Sequence, residues 1–126
     1  MRHALAVVAL LSQCALAQQW TSVGPSQTTG FGGATGRVSA VLCSPSNASV
    51  MYIGGADGGV WKTTDAGASW RSVTDHLVTP IGALAMQPGN ESVIYAGSGE
   101  ANFANHSRPG DGIYKSIDGG NTWTVL

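Results

Sequence analysis

The sequence predicts an all-β fold of two four-stranded antiparallel units, and three observations carry that prediction. Two octapeptides, Thr63 to Trp70 and Ser116 to Trp123, share the pattern S/T-x-D-x-G-x-S/T-W. Their flanks repeat collinearly: Gly59-Val60-Trp61-Lys62 matches Gly112-Ile113-Tyr114-Lys115, and Pro45, Asn47, Tyr52 and Gly54 match Pro88, Asn90, Tyr95 and Gly97. Apolar residues fall in short runs separated by turn residues, Gly reaches 18 in 126 residues, and no amphipathic helical run occurs, as suits short strands joined by tight turns.

Each copy resolves into four strands. In the first, Val38 to Cys43 and Val50 to Ile53 are apolar runs parted by Ser44-Pro45-Ser46-Asn47. Gly59 to Thr63 alternates, the octapeptide turns the chain, and Trp70 to Val73 returns. In the second copy the corresponding runs are Ile81 to Met86, Val93 to Ala96, Gly112 to Ser116 and Trp123 to Leu126. The upstream matches are 43 residues apart and the downstream ones 53, so ten extra residues lie between Gly97 and Gly112. Four short antiparallel strands at this period make a β-propeller blade. The expected organisation is a leader over 1–17, an N-terminal segment over 18–36, blade 1 over 37–75 and blade 2 over 76–126, a fragment of a propeller. Within the N-terminal segment, Trp20-Thr21-Ser22-Val23 matches Trp70-Arg71-Ser72-Val73 and is expected to be the outer strand of a closing blade.

The octapeptide has a physical logic. Asp65 and Asp118 stand where a short carboxylate accepts hydrogen bonds from turn amides. Thr63, Ser69, Ser116 and Thr122 flank them with hydroxyls, and Gly67 and Gly120 supply backbone angles closed to other residues. Trp70 and Trp123 then open the outer strand and cover the hairpin with an apolar ring. All ten positions are expected to be structural.

These octapeptides resemble the Asp-box, or BNR repeat, of sialidases, sortilin-type receptors and xyloglucan-hydrolysing propellers. From about Phe31 the chain further resembles sortilin-N-terminal-like propeller repeats, through Gly36-Arg37-Val38, Tyr52-Ile53-Gly54, Gly59 to Asp65, and Gly99-Glu100-Ala101-Asn102. The resemblance implies blades whose boxes lie at the periphery, away from the central ligand surface. It implies an extracellular, non-catalytic ligand-binding or scaffolding module, with the N-terminal portion of a glycoside hydrolase as the alternative.

Candidate chemistry is sparse. Asp57 precedes Gly58-Gly59, a place similar to that of a carboxylate in the xyloglucan-hydrolysing propellers, although the register differs by one residue. Glycosidic cleavage takes two carboxylates at a set separation, so Asp57 reads as a turn residue rather than a catalytic one. A sialidase reading fails because Arg37 stands in Gly-Arg-Val-Ser rather than in that family's arginine motif. The insertion holds Glu100, Asn102, Asn105, His106, Arg108 and Asp111, and of these Glu100, Asn102, His106 and Asp111 are the candidates for ligand binding. Without D-x-D alternation, and with one His, the insertion predicts no metal site, and no cofactor is implied.

The first residues read as a secretory leader: Met1-Arg2-His3 is basic, Ala4 to Leu11 is apolar and too short to span a bilayer, and Ala15-Leu16-Ala17 offers a cleavage site before Gln18. A secreted chain, or the luminal part of a membrane-anchored one, is expected, with no membrane segment once the leader is gone. Cys43 would then be the remaining cysteine, packed in an apolar strand. Six basic residues, Arg2 among them, are scattered against seven acidic ones, which gives no nucleic-acid surface and leaves a protein or carbohydrate ligand as the partner class. The sequons at Asn47, Asn90 and Asn105 are expected to be exposed and open to glycosylation in a eukaryotic secretory pathway.

Overall fold

A computed structural model describes residues 36–77, 80–101 and 107–126. The leader, the Trp20 to Val23 strand, and Asn102, Asn105 and His106 of the insertion lie outside the described residues. Eight strands form two sheets of four. Blade 1 has the order β1 (Val38–Cys43), β2 (Met51–Gly55), β3 (Gly59–Thr63) and β4 (Arg71–Ser72). Blade 2 repeats it with β5 (Ile81–Gln87), β6 (Asn90–Ser98), β7 (Ile113–Ser116) and β8 (Thr124–Val125). Every pairing is antiparallel between sequence neighbours. The fold class expected from the repeat is therefore the one observed. Strand β6 is longer than the apolar run Val93 to Ala96 because its ladder continues through Asn90 at one end and Ser98 at the other.

Two ladders align residue for residue. Tyr52 pairs with Lys62 in blade 1 and Tyr95 with Lys115 in blade 2, and in each case the ammonium lies over the ring, at 5.3 and 5.6 Å. Because side chains alternate along a strand, Tyr52 and Lys62 share one face of blade 1 while Ile53 and Trp61 share the other. The face carrying Tyr52 and Lys62 meets blade 2. Tyr52, Val60 and Val73 from blade 1 pack with Ile81, Ile94, Ala96, Tyr114 and Trp123 from blade 2 to form one core.

The two sheets approach closely at Gly54. A Cβ there would stand 2.7 Å from Ile81 Cγ2, so the side chain is omitted where β5 crosses β2. Polar contacts lock the same seam. Tyr52 Oη and Lys62 Nζ both donate to the Gly119 carbonyl, at 3.0 and 2.8 Å, and Trp123 Nε1 donates to the Val73 carbonyl at 3.1 Å. Near the same end Ser46 N donates to Glu91 Oε1 at 3.0 Å, with Ser44 Oγ on the other carboxylate oxygen. Trp123 thus covers its own hairpin and also bridges the blades, a reach that the repeat pattern does not disclose.

Cys43 departs from expectation, since the structure exposes it rather than packing it. Strand β1 is an edge strand, and its alternation turns Leu42 toward the core and Val41 and Cys43 away.

Trp123→Ala is expected to lower stability by about 3–5 kcal/mol, as loss of a buried aromatic does. Trp70→Ala, at the half-open flank of blade 1, should cost ~1 kcal/mol from the smaller area lost. Urea unfolding monitored by circular dichroism measures both, and equal losses would contradict the bridging role.

Candidate functional site

The octapeptide turns are small closed networks. Thr63 Oγ1 donates to Asp65 Oδ1 at 2.7 Å and accepts from the Gly67 amide at 3.0 Å. Asp65 in turn accepts from the Ser69 amide at 2.9 Å and from Ser69 Oγ at 2.5 Å. Ser116, Asp118, Gly120 and Thr122 reproduce these contacts, with Ser116 Oγ on Asp118 Oδ1 at 2.8 Å, the Gly120 amide on Ser116 Oγ at 2.8 Å and the Thr122 amide on Asp118 Oδ1 at 2.8 Å. The alternation of hydroxyl, carboxylate, Gly and hydroxyl is thus a list of donors and acceptors within one turn. Gly67 and Gly120 have φ of 90° and 87°, and a Cβ on Gly120 would stand 3.3 Å from Tyr52 Cε1. The residue between Asp and Gly is also left-handed, with φ of 58° at Ala66 and 69° at Gly119, so blade 1 tolerates in Ala66 a conformation that blade 2 gives to Gly.

Donors crowding each carboxylate favour its ionised form. Hydrogen bonds from the Ser69 side chain and amide, then from Thr63, hold Asp65 down at about 2. Thr122 and then Ser116 hold Asp118 still lower.

The loops joining β2 to β3 and β6 to β7 gather the remaining charged candidates at one end of the blade pair. Glu100 is buried, its amide donates to the Arg108 carbonyl at 3.0 Å, and its carboxylate meets Arg37 Nη2 of blade 1 at 2.5 Å. Asp57 of blade 1 is exposed and meets Arg108 Nε of blade 2 at 3.3 Å. The two ion pairs therefore cross the seam in opposite directions. Asp111 accepts from Tyr114 Oη at 2.6 and 2.7 Å and from Ser98 Oγ at 2.9 Å. These bonds, Tyr114 first and Ser98 second, depress its pKa. A groove of ≈ 510 Å³ runs beside this end, lined by Gly82, Gly97, Gly99, Glu100 and Arg108 among others.

The structure thus brings Asp57 and Glu100 to the same end and binds each to an arginine of the other blade. The Glu100 loop is tied down rather than free: the Gly99 amide donates to the Pro80 carbonyl at 2.7 Å, and Glu100 is buried beside Arg37. The pairing roles of Arg37 and Arg108 had no signal in the repeat, since neither recurs at the matching position of the other copy. Asn47 and Asn90 are exposed, and their side-chain carbonyls accept from the amides of Ser49 and Ser92 at 3.0 and 3.2 Å. Among the described residues, no cluster of three or more His, Cys, Asp and Glu is placed to hold a metal ion.

Several solved structures share this arrangement. An ancestral GH74 enzyme superposes with a TM-score of 0.60 at 25% identity over 70% of this chain. The GH74 enzyme of Niastella koreensis gives 0.54 at 27% identity over 68%, and the GH74 xyloglucanase of Xanthomonas campestris gives 0.52 at 19% over 68%. The fold is that of a β-propeller fragment. The chain spans 12–14% of the length of these three enzymes. No protein-family model and no curated protein matches it.

The pH dependence follows from the octapeptide carboxylates. Folding lowers their pKa values from 3.8, so below about pH 4 the unfolded chain binds more protons than the folded one. Their stabilisation is complete above that unfolded value and is lost as pH falls through it toward about 2 for Asp65. The thermal midpoint should therefore fall between ~pH 5 and ~pH 2, with a shallower fall in Asp118→Asn. An unchanged slope in that variant would contradict the assignment.

Proposed function

We propose that the chain supplies two blades of an extracellular β-propeller and acts as a scaffold and glycan-facing or protein-facing surface rather than as a catalytic centre. The observation that carries this reading is the commitment of the carboxylates in the β2–β3 and β6–β7 loops. Asp57 is paired with Arg108, Glu100 with Arg37, and Asp111 with Tyr114 and Ser98. Glycoside hydrolysis needs one carboxyl group whose pKa is raised, so that it holds a proton to donate, and a second that is ionised across the sugar. Asp111 is shifted the opposite way. The expected extracellular location rests on the leader-like start of the sequence, and the sortilin-like character rests on the repeat motifs.

The likeness to GH74 enzymes favours a second reading, in which the two blades are the N-terminal portion of a glycoside hydrolase. Asp57 would then contribute one carboxylate, and its partner would come from a different blade. Xyloglucan is the discriminating probe. The chain is expected to release no reducing ends from it, and Asp57→Asn should change nothing in the assay. Hydrolysis that is abolished by Asp57→Asn would overturn the scaffold reading in favour of the second. Retardation of the chain in a xyloglucan-containing native gel, without hydrolysis, would support a glycan-facing surface.

A further inference from the structure

Three Asp-Gly dipeptides occur in the chain: Asp57-Gly58, Asp111-Gly112 and Asp118-Gly119. Such a pair carries a reaction of its own, because glycine has no side chain to shield its amide nitrogen from the preceding carboxyl carbon. The nitrogen bonds to Asp Cγ, the Cγ–O bond of the protonated carboxyl group breaks, and the hydroxyl leaves with the amide proton as water. The five-membered succinimide that results takes water back at either carbonyl. Addition at Cγ restores aspartate. Addition at the main-chain carbonyl leaves isoaspartate, with the backbone rerouted through Cβ and Cγ. Nothing is oxidised or reduced, and water is the sole co-reactant.

Two of the three dipeptides are closed against it. The Asp118 carboxylate accepts from the Ser116 and Thr122 hydroxyls and from the Asn121 and Thr122 amides, and the Gly119 amide is held by the Ser92 carbonyl at 2.9 Å. Asp111 accepts from Tyr114 and Ser98, and the Gly112 amide donates to Ser98 Oγ at 3.0 Å. In both, the carboxylate and the attacking nitrogen are tied to different partners. The same donors favour the ionised carboxylate and so oppose the protonated form that the reaction needs. Asp57-Gly58 differs. It lies in the turn between β2 and β3, where Asp57 is held by its 3.3 Å ion pair with Arg108. Among the described residues no acceptor takes the Gly58 amide. The turn is tied instead through the Gly58 carbonyl, which accepts from Trp61 Nε1 at 2.7 Å, and through the Ala56 amide, which donates to the Arg37 carbonyl at 2.9 Å.

We propose that Asp57 is a site of spontaneous isoaspartate formation in the folded chain, and that Asp111 and Asp118 are protected by the networks that build blade 2. The modification adds one backbone atom to the β2–β3 turn and leaves the carboxylate on Cα instead of Cβ. The carboxylate then no longer reaches its place opposite Arg108, so this ion pair across the seam is lost while the buried Arg37–Glu100 pair remains. The octapeptide turn has no such tolerance. An added atom between Asp118 and Gly119 would displace the carbonyl that Tyr52 and Lys62 hold. The chain therefore ages at the loop and not at the turn that joins the blades.

Peptide mapping of the whole chain tests the proposal after incubation for several weeks at neutral pH, with and without guanidinium chloride. Electron-transfer fragmentation separates isoaspartate from aspartate at equal mass, and methyl transfer by an isoaspartyl methyltransferase counts the product independently. In the folded chain isoaspartate is expected at Asp57 and not at Asp111 or Asp118. In the denaturant all three dipeptides should isomerise at comparable rates, since only folding distinguishes them. Gly58→Ala, whose Cβ would stand 3.7 Å from Trp61 Nε1 in ordinary contact, should suppress the product at Asp57 in both conditions. Isoaspartate spread evenly over the three sites of the folded chain, or favouring Asp111 or Asp118, would overturn the proposal. So would an Asp57 that isomerises in the denaturant and stays intact in the folded chain. This comparison is made on the parent chain and stands whether or not the variant folds.

Discussion

The Gly119 carbonyl is the point on which the blade pair turns. It lies at the tip of an octapeptide turn, in a left-handed residue, and receives both Tyr52 Oη and Lys62 Nζ from the neighbouring sheet. Burial leaves its mark on both donors, raising the Tyr52 pKa and, ahead of the influence of Arg71, lowering that of Lys62. Neither sheet has a second apolar layer of its own. Val60 and Val73 of blade 1 are covered only because Trp123, Tyr114 and Ile94 are brought against them, and the turn that carries Gly119 sets that approach. A net hydrogen bond is worth about 1 kcal/mol, and one from a charged donor about 1.5–3 kcal/mol. The two bonds matter chiefly because they fix the angle at which the larger apolar surface closes.

Rigidity of the turn is what makes that angle reproducible. The Asp118 carboxylate gathers the Ser116 hydroxyl and the amides of Asn121 and Thr122, so the backbone at Gly119 and Gly120 has few alternatives. The same network in blade 1 presents Ala66 outward. One local device is therefore built twice, and in blade 2 it makes the closing contact of the internal seam. The loop end is coupled to the same seam, since the Arg37–Glu100 and Asp57–Arg108 pairs form only when the blades are docked.

Much of the fold was legible in the sequence because the repeat writes it twice. The inner strands appear as apolar runs, and the octapeptides mark the turns from β3 to β4 and from β7 to β8. What the sequence withheld were relations between copies. Trp70 and Trp123 look identical in pattern, yet among the described residues only Trp123 has a neighbouring sheet to cover it, so burial differs where chemistry does not. Cys43 sits in an apolar run, but an edge strand turns alternate residues to solvent. At the loop end, Asp57, Glu100 and Asp111 were visible as residues, while their partners were not: Arg37 and Arg108 lie 63 and 51 positions from Glu100 and Asp57 and leave no periodic trace.

Cooperation across the seam is the central claim, and native-state hydrogen exchange addresses it directly. If the Gly119 contact and the shared core make the blades one unit, the slowest amides of β2 and β3 open with the same free energy as those of β6 and β7, and denaturant moves them together. Two separate opening free energies, one for each sheet, would contradict it.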